Sequence, residues 1–457
     1  MTRRVLRFRS RFDVPASLLF AWHARPGAFE RLAPPWEDLD VVQPPAGVTD
    51  GKRAVFRVPA GPVSIRWVAE HRDYVDGVQF RDVQMQGPFA MWEHTHRVEP
   101  DGPDHAYLDD HIEYAMPMGP LGDWLGNASI RAMMSHAFAY RHAITRRDLS
   151  LHATRLGKPA WHVAVSGASG LVGASLIPFL TTGGHRVTKL PRVENHSRFG
   201  EADDSLNGLD AAIHLAGEPI NGRWTPAKKQ RIRASRVEGT RGLCERLARL
   251  RQPPRTLLCA SAVGVYGERG DETLTEESSL GSGFLADVCR GWEAACEPAK
   301  QAGIRVVHLR FGVILSPRGG ALRRMLPPFR FGMGGRIGSG KQWFPWIALD
   351  DVLGVIHHCL ADDQIFGPAN VVAPQQVTNA EFTRTLGKVL HRPTRCPVPA
   401  WAARTVFGAM ADALLLASSR VESRRLQESG YGYYLPDLES ALMQMLGKNP
   451  WFSPPVA

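Results

Sequence analysis

The chain has few cysteines and no long apolar stretch. Six cysteines occur among its 457 residues, none in a Cys-x-x-Cys pair, which argues against a disulfide framework or a zinc-binding set and suits a reducing compartment. No uncharged apolar run approaches the ~20 residues that cross a bilayer. The basic start MTRRVLRFRSRFDV is not followed by an apolar stretch of the kind found in a signal peptide. We therefore expect a cytoplasmic protein without a membrane span.

The chain also lacks a concentrated block of one charge. The formal net charge is +10, but residues 1–155 carry 19 basic and 19 acidic side chains, so the whole excess lies beyond residue 155. There it is spread over segments of helical pattern, without five like charges in succession. This distribution argues against nucleic-acid binding and favours a small anionic ligand.

The length favours two or three domains, because single domains usually span roughly 100 to 200 residues. Residues 150–160, SLHATRLGKPA, lack periodicity and contain Gly-Lys-Pro, which indicates a linker. We therefore predict that one domain ends near residue 152 and that the next begins at Trp161.

The first 152 residues predict an α+β domain. Residues 4–12 alternate polar and apolar side chains, as in a half-buried strand, and a helical stretch follows. Short alternating segments between about residues 40 and 116 predict an antiparallel meander, and an amphipathic helix is expected from about Leu121 to Leu149. This order of elements resembles the START-like, or SRPBCC, helix-grip fold. The resemblance implies a cavity that holds a hydrophobic ligand.

Two histidines of this domain raise the question of a metal site. His94 and His96 lie two residues apart and share one face of a predicted strand. Because the sequence places no third ligand, we interpret them as buried or cavity-lining polar residues and predict no metal site. Four aromatic side chains either line the expected cavity or fill a core: Trp67, Phe89, Trp92 and Tyr114.

Residues 161–192, WHVAVSGASGLVGASLIPFLTTGGHRVTKLPR, carry the most informative pattern. A buried strand runs into three glycines spaced three apart, followed by a helix and a second strand. In this spacing Gly167 permits a tight turn, Gly170 lets the backbone approach a pyrophosphate, and Gly173 lets the helix pack closely. The helix N-terminus would then face the phosphates. The complete strand, loop, helix and strand context predicts a dinucleotide-binding site.

The residue that follows the second strand indicates which dinucleotide binds. An acidic residue there would bind both ribose hydroxyls of NAD, whereas this chain has Lys189-Leu-Pro-Arg192. Arg192 could pair with a 2'-phosphate, so we predict NADP, with NAD as the less favoured alternative. Arg192 could also be a solvated loop cation.

Further strand and helix patterns alternate along the chain and predict a doubly wound parallel sheet. The strand segments GLDAAIHLAG, RTLLCASAVGVYG, RVVHLRFGVIL and GPANVVAP follow one another. SGASGLVG, HLAGEPI, SAVGVYG and WIALDDV resemble the extended short-chain dehydrogenase/reductase family, also called the NAD-dependent epimerase/dehydratase family. HLAGEPINGRW and MLPPFRFGMGG resemble its sugar-nucleotide-epimerase-like subgroup. The resemblance implies a Rossmann-like domain over 161–374, a small substrate-side domain over 375–457, and a homodimer.

The resemblance also implies a catalytic Tyr-x-x-x-Lys pair on one helix face, in which the tyrosine transfers a proton. When Glu293 is aligned with the glutamate that often follows this lysine, Leu285 and Cys289 occupy the tyrosine and lysine positions. None of the eight tyrosines has a lysine four residues later. The ordinary proton relay is therefore absent.

Three other side chains are candidates for catalysis. The usual serine position of the family falls on Ala262, and Ser261, one residue earlier, reaches the site only if the strand ends there. Tyr266 is the best proton donor by its chemistry, although in the family this tyrosine usually packs near the substrate. Cys289 is either a thiol acid or nucleophile, or a core residue.

The predicted binding residues surround the same cleft. Arg223 and Lys341 would bind an anionic substrate or remain surface cations. The candidate substrate-binding residues are Glu218, Arg223, Trp224, Lys341 and Trp346. The candidate cofactor-binding residues are Gly167, Ala168, Ser169, Gly170, Leu171, Val172, Gly173, Arg192, Leu215, Ala216, Gly217 and Ser261.

Three functions fit these patterns. The first is an NADP-dependent oxidoreductase or epimerase with a rearranged proton relay, since general acid catalysis contributes about 100- to 10,000-fold and its loss slows hydride transfer without forbidding it. The second is a catalytically silent NADPH-binding sensor or scaffold, coupled to an N-terminal domain that binds a hydrophobic ligand. The third is a carrier of a hydrophobic ligand, in which the reductase domain acts on what the first domain carries or reports redox state. The segments GEPINGRW and MLPPFRFGMGGRIGSGK add residues beyond the needs of cofactor binding, which favours the enzyme.

Overall fold

The computed structural model describes residues 3–37, 39–60, 63–117, 120–191 and 206–448, with the side chains of 59, 60 and 120–127 left out. The chain divides into two compact units. The first contains Met1–Pro159 and Ile177–His185, and the second contains Ala160–Leu176 and Arg186–Lys448. None of the described helices is both long and apolar enough to cross a membrane.

Among the described residues before the linker, the chain forms seven strands and three helices. The strand at the N-terminus has the bounds expected from its alternating side chains, and the long helix predicted over 121–149 is confirmed with slightly wider bounds. The strands are β1 Arg4–Phe12, β2 Asp40–Gln43, β3 Arg53–Ala60, β4 Val63–Val75, β5 Gln79–Gln86, β6 Met91–Pro100 and β7 Ala106–Ala115, and the helices are α1 Ala16–Ala24, α2 Ala28–Leu32 and α3 Pro120–Ala153.

The first unit is built on one antiparallel sheet with the order β1-β7-β6-β5-β4-β3-β2. Along β6, buried and partly exposed positions alternate, because successive side chains of a strand point to opposite faces. Helix α3 packs on the buried face, where the ring of Phe138 stacks on Phe8 with 4.6 Å between centroids. The expected meander is therefore confirmed as an antiparallel sheet.

The aromatic side chains left open by the sequence belong to the core of this unit. Trp67, Phe89, Trp92 and Tyr114 are all buried and pack in one cluster with Phe8 and Phe138. The rings of Trp67 and Trp92 meet edge to face at 5.4 Å. These side chains therefore fill a core and do not line the cavity described below.

The strands and helices that follow the linker alternate along most of the chain. The strands are β8 His162–Ser166, β9 Arg186–Lys189, β10 Ala211–His214, β11 Thr256–Ala262, β12 Thr273–Leu274, β13 Arg305–Phe311, β14 Val313–Ser316, β15 Trp346–Ala348, β16 Gly367–Val371 and β17 Arg420–Val421. The helices are α4 Leu171–Thr182, α5 Pro226–Ala248, α6 Phe284–Ala294, α7 Glu297–Gln301, α8 Gly320–Arg330, α9 Leu349–Ala361, α10 Asn379–Leu390, α11 Ala400–Phe407, α12 Arg424–Glu428 and α13 Leu438–Met445.

The second unit contains a six-stranded parallel sheet with the order β16-β13-β11-β10-β8-β9. Its central strands are almost continuously buried, which is typical of parallel strands covered on both faces. The chain leaves β8 toward β9 and then returns to β10 on the other side. This reversal is the topological switch point at which open α/β sheets bind ligands. The predicted Rossmann-like parallel sheet is confirmed.

A separate core lies in the C-terminal part of this unit. It joins α8, β14 and β15 to α10 and α13 through buried side chains such as Leu322, Trp346, Phe382 and Leu442. Helix α10 begins with a capping box in which Thr378 and Glu381 bond to each other's backbone N–H groups. This core is built from segments before and after β16 in sequence, and it contains Trp346, one of the candidate substrate residues.

Candidate functional site

The glycine loop joins β8 to α4 at the switch point. Gly167 has a positive φ of 72°, and a Cβ atom there would lie 2.7 Å from the carbonyl carbon of Leu215. A Cβ atom at Gly173 would lie 2.3 Å from the carbonyl oxygen of Gly167. Both positions therefore require glycine for the loop to fold against β10 and against its own helix.

The outer side of this loop is open. Ser169 and Gly170 are exposed, and among the described residues a Cβ atom at Gly170 would meet only the carbonyl oxygen of Gly167, at 3.3 Å. The first turn of α4 carries no acidic side chain, so none competes for the positive end of the helix. This cradle fits the pyrophosphate of a dinucleotide.

A buried hydrogen-bond chain fixes the two strands that flank the loop. The Oγ of Ser166 lies 2.6 Å from Nδ1 of His214, and Nε2 of His214 lies 2.9 Å from Oγ1 of Thr240 on α5. Burial lowers the pKa of His214 to about 4, so the ring is neutral at physiological pH. These hydrogen bonds position Leu215 and Ala216, which contact Gly167 and precede the exposed Gly217.

The residue chosen to recognise a 2'-phosphate, Arg192, lies outside the described residues. Strand β9 ends at the exposed Lys189, and the partly buried Leu190 and the exposed Pro191 follow it. No acidic side chain occurs in these three positions, and so this segment offers no carboxylate for the ribose hydroxyls of NAD.

Ser261 and Tyr266 belong to one buried polar network. The Ser261 hydroxyl donates to Glu293 at 2.8 Å, and Arg310 donates to both carboxylate oxygens of Glu293 at 2.8 and 2.9 Å. Arg310 also donates to the Tyr266 hydroxyl at 2.9 Å, and that hydroxyl donates to Asn370 at 2.8 Å. The network thereby joins three strands, β11, β13 and β16, to helix α6.

The charges of this network are stable at neutral pH. Burial opposes ionisation of Glu293, but the hydrogen bonds and charge of Arg310 outweigh it and hold the pKa of Glu293 below its ordinary value. Burial raises the pKa of Tyr266, and the side chain has no exposed surface. This geometry favours structural roles for Ser261 and Tyr266, and their assignment to catalysis stays a prediction.

Cys289 lies in a hydrophobic cluster with Val263, Leu274 and Val421. Its side chain is buried, and burial raises the pKa of the thiol to about 12. A protonated thiol without solvent access is a poor nucleophile. The core interpretation of Cys289 is therefore favoured. Leu285, at the tyrosine position of the family, is only partly buried and faces Gly264.

The candidate substrate residues divide into exposed and buried side chains. Arg223 and Lys341 are exposed, which leaves both cations accessible. Trp224 and Trp346 are buried and donate to the carbonyl oxygens of Ile220 and Gln375, so they act as core residues.

Glu218 has its carboxylate engaged by the helix that follows it. Lys228 donates to Oε1 of Glu218 at 2.7 Å, and Nε of Arg231 lies 3.6 Å from the same oxygen. The backbone N–H of Glu218 donates to Ser235. The ion pairs fix this residue at the start of the segment after β10.

Comparison with known proteins agrees with this geometry. The family model described as NAD dependent epimerase/dehydratase family matches residues 163–372, and a domain of unknown function, DUF1731, matches residues 398–445. Epimerase family protein Mb2239 of Mycobacterium bovis is 40% identical over 290 residues, which cover 61% of this chain and 96% of that protein. The chain belongs to the NAD-dependent epimerase/dehydratase family.

Two solved structures of related proteins extend this similarity. The crystal structure of a nucleoside-diphosphate sugar epimerase from Corynebacterium glutamicum has 34% identity and a TM-score of 0.79, and the match covers 97% of this chain and 90% of that one. The structure of human epimerase family protein SDR39U1 with NADPH has 34% identity and a TM-score of 0.59, with 62% of this chain and 99% of that one covered.

Two charged residues of this epimerase-family chain were not predicted as part of the site. Arg236 on α5 lies beside Gly217, since a Cβ atom there would be 3.2 Å from the guanidinium carbon. Burial lowers the pKa of Arg236. From the sequence alone, Arg236 resembles the other cations of a solvent-exposed helix. Arg310 lies inside an apolar strand segment, where an isolated arginine could have indicated a buried ion pair.

Proposed function

We propose that the second unit binds NADP(H) and transfers hydride on a small anionic substrate, as an oxidoreductase or an epimerase. The glycine loop carries this proposal, because it presents an open backbone at the start of α4 at the switch point of the sheet. Residues 167–173 would hold the pyrophosphate, and residues 215–217 would flank it. When bound, the nicotinamide supplies or accepts the hydride.

Two observations support NADP over NAD. The related human protein was solved with NADPH, and residues 189–191 of this chain offer no carboxylate to a ribose. Arg192 would pair with the 2'-phosphate.

A titration with NADPH and NADH tests this choice. We expect tighter binding of NADPH, and Arg192→Ala should remove the preference. Arg186→Ala, which changes an exposed arginine at the other end of β9, should leave the preference intact. Equal affinity of the parent protein for both nucleotides would contradict the assignment.

The substrate is proposed to carry a phosphate or another anionic group. The similarity to a nucleoside-diphosphate sugar epimerase supports this class, and Arg223 and Lys341 offer exposed cations for it. The guanidinium of Arg236, beside Gly217, would stabilise negative charge at the same strand end. A screen of nucleotide sugars and carbonyl compounds, followed by NADPH absorbance and by product analysis, tests this proposal.

The burial of Ser261, Tyr266 and Cys289 favours a second candidate, a silent NADPH-binding sensor or scaffold. In the enzyme hypothesis, the proton comes from a group other than the family's tyrosine. The two candidates separate in the same screen, because a sensor binds NADPH without turning over any substrate class. Turnover that is abolished by Arg223→Ala, with NADPH affinity retained, would support the enzyme.

We further propose that the first unit is a START-like helix-grip domain spanning residues 1–152, with residues 161–374 and 375–457 as the following domains. The order of its elements and the packing of α3 on the sheet support this. A cavity of about 180 Å³ in this unit suits only a small ligand, since pockets for drug-sized molecules measure roughly 300–1,000 Å³. A homodimer is expected from the family and is tested by light scattering.

A further inference from the structure

Three side chains of the first unit bring potential metal ligands together. Asp82 on β5 is paired directly across from His94 on β6, and His96 follows on the same face. The Oδ2 of Asp82 lies 3.3 Å from Nε2 of His96 and 3.9 Å from Nδ1 of His94. Zn²⁺ holds nitrogen and carboxylate ligands at roughly 2.0–2.2 Å, so ligands of one ion lie roughly 3–4 Å apart. The spacing fits a shared ion.

The remaining ring nitrogens face a second carboxylate. Nε2 of His94 lies 3.0 Å and Nδ1 of His96 lies 2.6 Å from Oδ1 of Asp110, which is buried. Asp110 is also contacted by His142 at 2.7 Å. A histidine that donates one ring N–H to a carboxylate presents its other nitrogen as a bare, basic ligand. Asp110 therefore orients the ring of His94 through a hydrogen bond, while Nδ1 of His96 lies beside the same carboxylate without a hydrogen bond among the described residues.

The cluster borders the cavity of this unit. Asp82 and His96 line it together with His23 and His71. His71 contacts Oδ1 of Asp82 at 2.8 Å, and its buried Nδ1 has no hydrogen-bond partner among the described residues. Because Asp82 and His96 both line the cavity, an ion bound between them would border it.

The ion-pair partners of both carboxylates are imidazoles. Within the described residues, the ion pairs of Asp82 and Asp110 all come from histidines, and none comes from a lysine or an arginine. Imidazole and carboxylate groups together are ligands of divalent transition metals.

We propose that Asp82, His94 and His96 bind one divalent transition-metal ion at the border of the cavity, with Zn²⁺ as the probe. Two imidazoles and a carboxylate suit zinc, iron, cobalt or nickel and are a poor set for Ca²⁺ or Mg²⁺. From the sequence we predicted no metal site, because no third ligand was placed beside His94 and His96; the structure places Asp82 beside both.

The test uses the untagged full chain after treatment with a chelator. Calorimetric titration with Zn²⁺ should show one ion per chain, and Co²⁺ should give the visible absorption of a four- or five-coordinate ion. Asp82→Asn and His96→Gln should each weaken binding by about 100-fold or more, and Asp110→Asn by about 10- to 100-fold, the range of substitutions that disturb ligand orientation. His111→Gln, at a partly exposed histidine of β7, should leave binding unchanged.

Folding of each variant is checked by thermal unfolding and by NADPH titration, which reports on the second unit. X-ray absorption of the zinc-loaded parent protein provides a measurement that needs no variant and should show two imidazole ligands. Absence of stoichiometric binding by the parent, or binding that Asp82→Asn and His96→Gln leave unchanged, would overturn the proposal. Neither result bears on NADPH binding.

Discussion

In the second unit, the largely buried carboxylate of Glu293 is paired with a guanidinium, whereas in the first unit the ion pairs of Asp82 and Asp110 within the described residues come from imidazoles. Arginine stays charged and holds a carboxylate in a fixed bidentate geometry. Imidazole exchanges a proton near neutral pH and also binds metals. The carboxylate–guanidinium pair of the second unit holds strands and a helix together, whereas the carboxylate–imidazole cluster of the first unit leaves polar atoms beside a cavity. The location of a polar cluster alone therefore does not distinguish a structural network from a candidate binding site; the type of basic partner does.

Among the substitutions that test this comparison, Glu293→Gln should lower the free energy of unfolding the most. The substitution leaves Arg310 buried with a neutral partner, and removing one member of a buried ion pair costs about 3–5 kcal/mol. Urea unfolding should show this loss in the second unit. The control is Asp287→Asn on the same helix, where an exposed pair with Arg290 should contribute less than about 1 kcal/mol. Equal effects of the two variants would refute a structural role for the network.

Acid should weaken the same ion pair. The pKa of Glu293 in the folded chain lies below its ordinary value of 4.5, so the stabilisation is complete above that value and is lost as the pH falls through the folded pKa. The difference in urea midpoint between the parent protein and Glu293→Gln should therefore shrink in the acid range. A difference that stays constant down to the acid limit would contradict the lowered pKa.

Tyr266→Phe should have a smaller effect. The hydroxyl donates to Asn370 and accepts from Arg310, and its loss leaves both partners short of a hydrogen bond, at a cost of about 1–3 kcal/mol. NADPH affinity should be unchanged. If turnover instead falls by about 100-fold while the free energy of unfolding is retained, Tyr266 transfers the proton as first predicted.

The smallest expected effect concerns cysteine reactivity. Cys396 is exposed, and the other five cysteines are buried. A thiol reagent should therefore label one cysteine per native chain, and Cys396→Ser should abolish labelling. Rapid modification of Cys289 in the folded protein would restore it as a candidate nucleophile.

The elements that the sequence predicted depend on local patterns. Apolar runs predicted β8, β10, β11 and β13, and glycine spacing predicted the loop after β8. These signals are local because a strand's burial and a tight turn are encoded by neighbouring residues.

The contacts that the sequence did not predict join distant positions. The ion pair between Glu293 and Arg310 was not predicted, because the two residues lie on different elements, α6 and β13. Asp82 was not predicted to lie beside His94 and His96, because the register between strands β5 and β6 determines that contact. The buried state of Trp224 and Trp346 likewise depends on segments that meet only in the fold.

The loop between β8 and α4 has two sides that tolerate change differently. On its inner side, an added Cβ atom would fall within 2.7 Å of backbone atoms at Gly167 and within 2.3 Å at Gly173, whereas on its outer side Gly170 meets one carbonyl oxygen at 3.3 Å. An inner side chain would disrupt the fold and the cradle together. A side chain at Gly170 would close the cradle and spare the fold. Relatives that have abandoned the dinucleotide while keeping the architecture should therefore carry the change at the middle glycine.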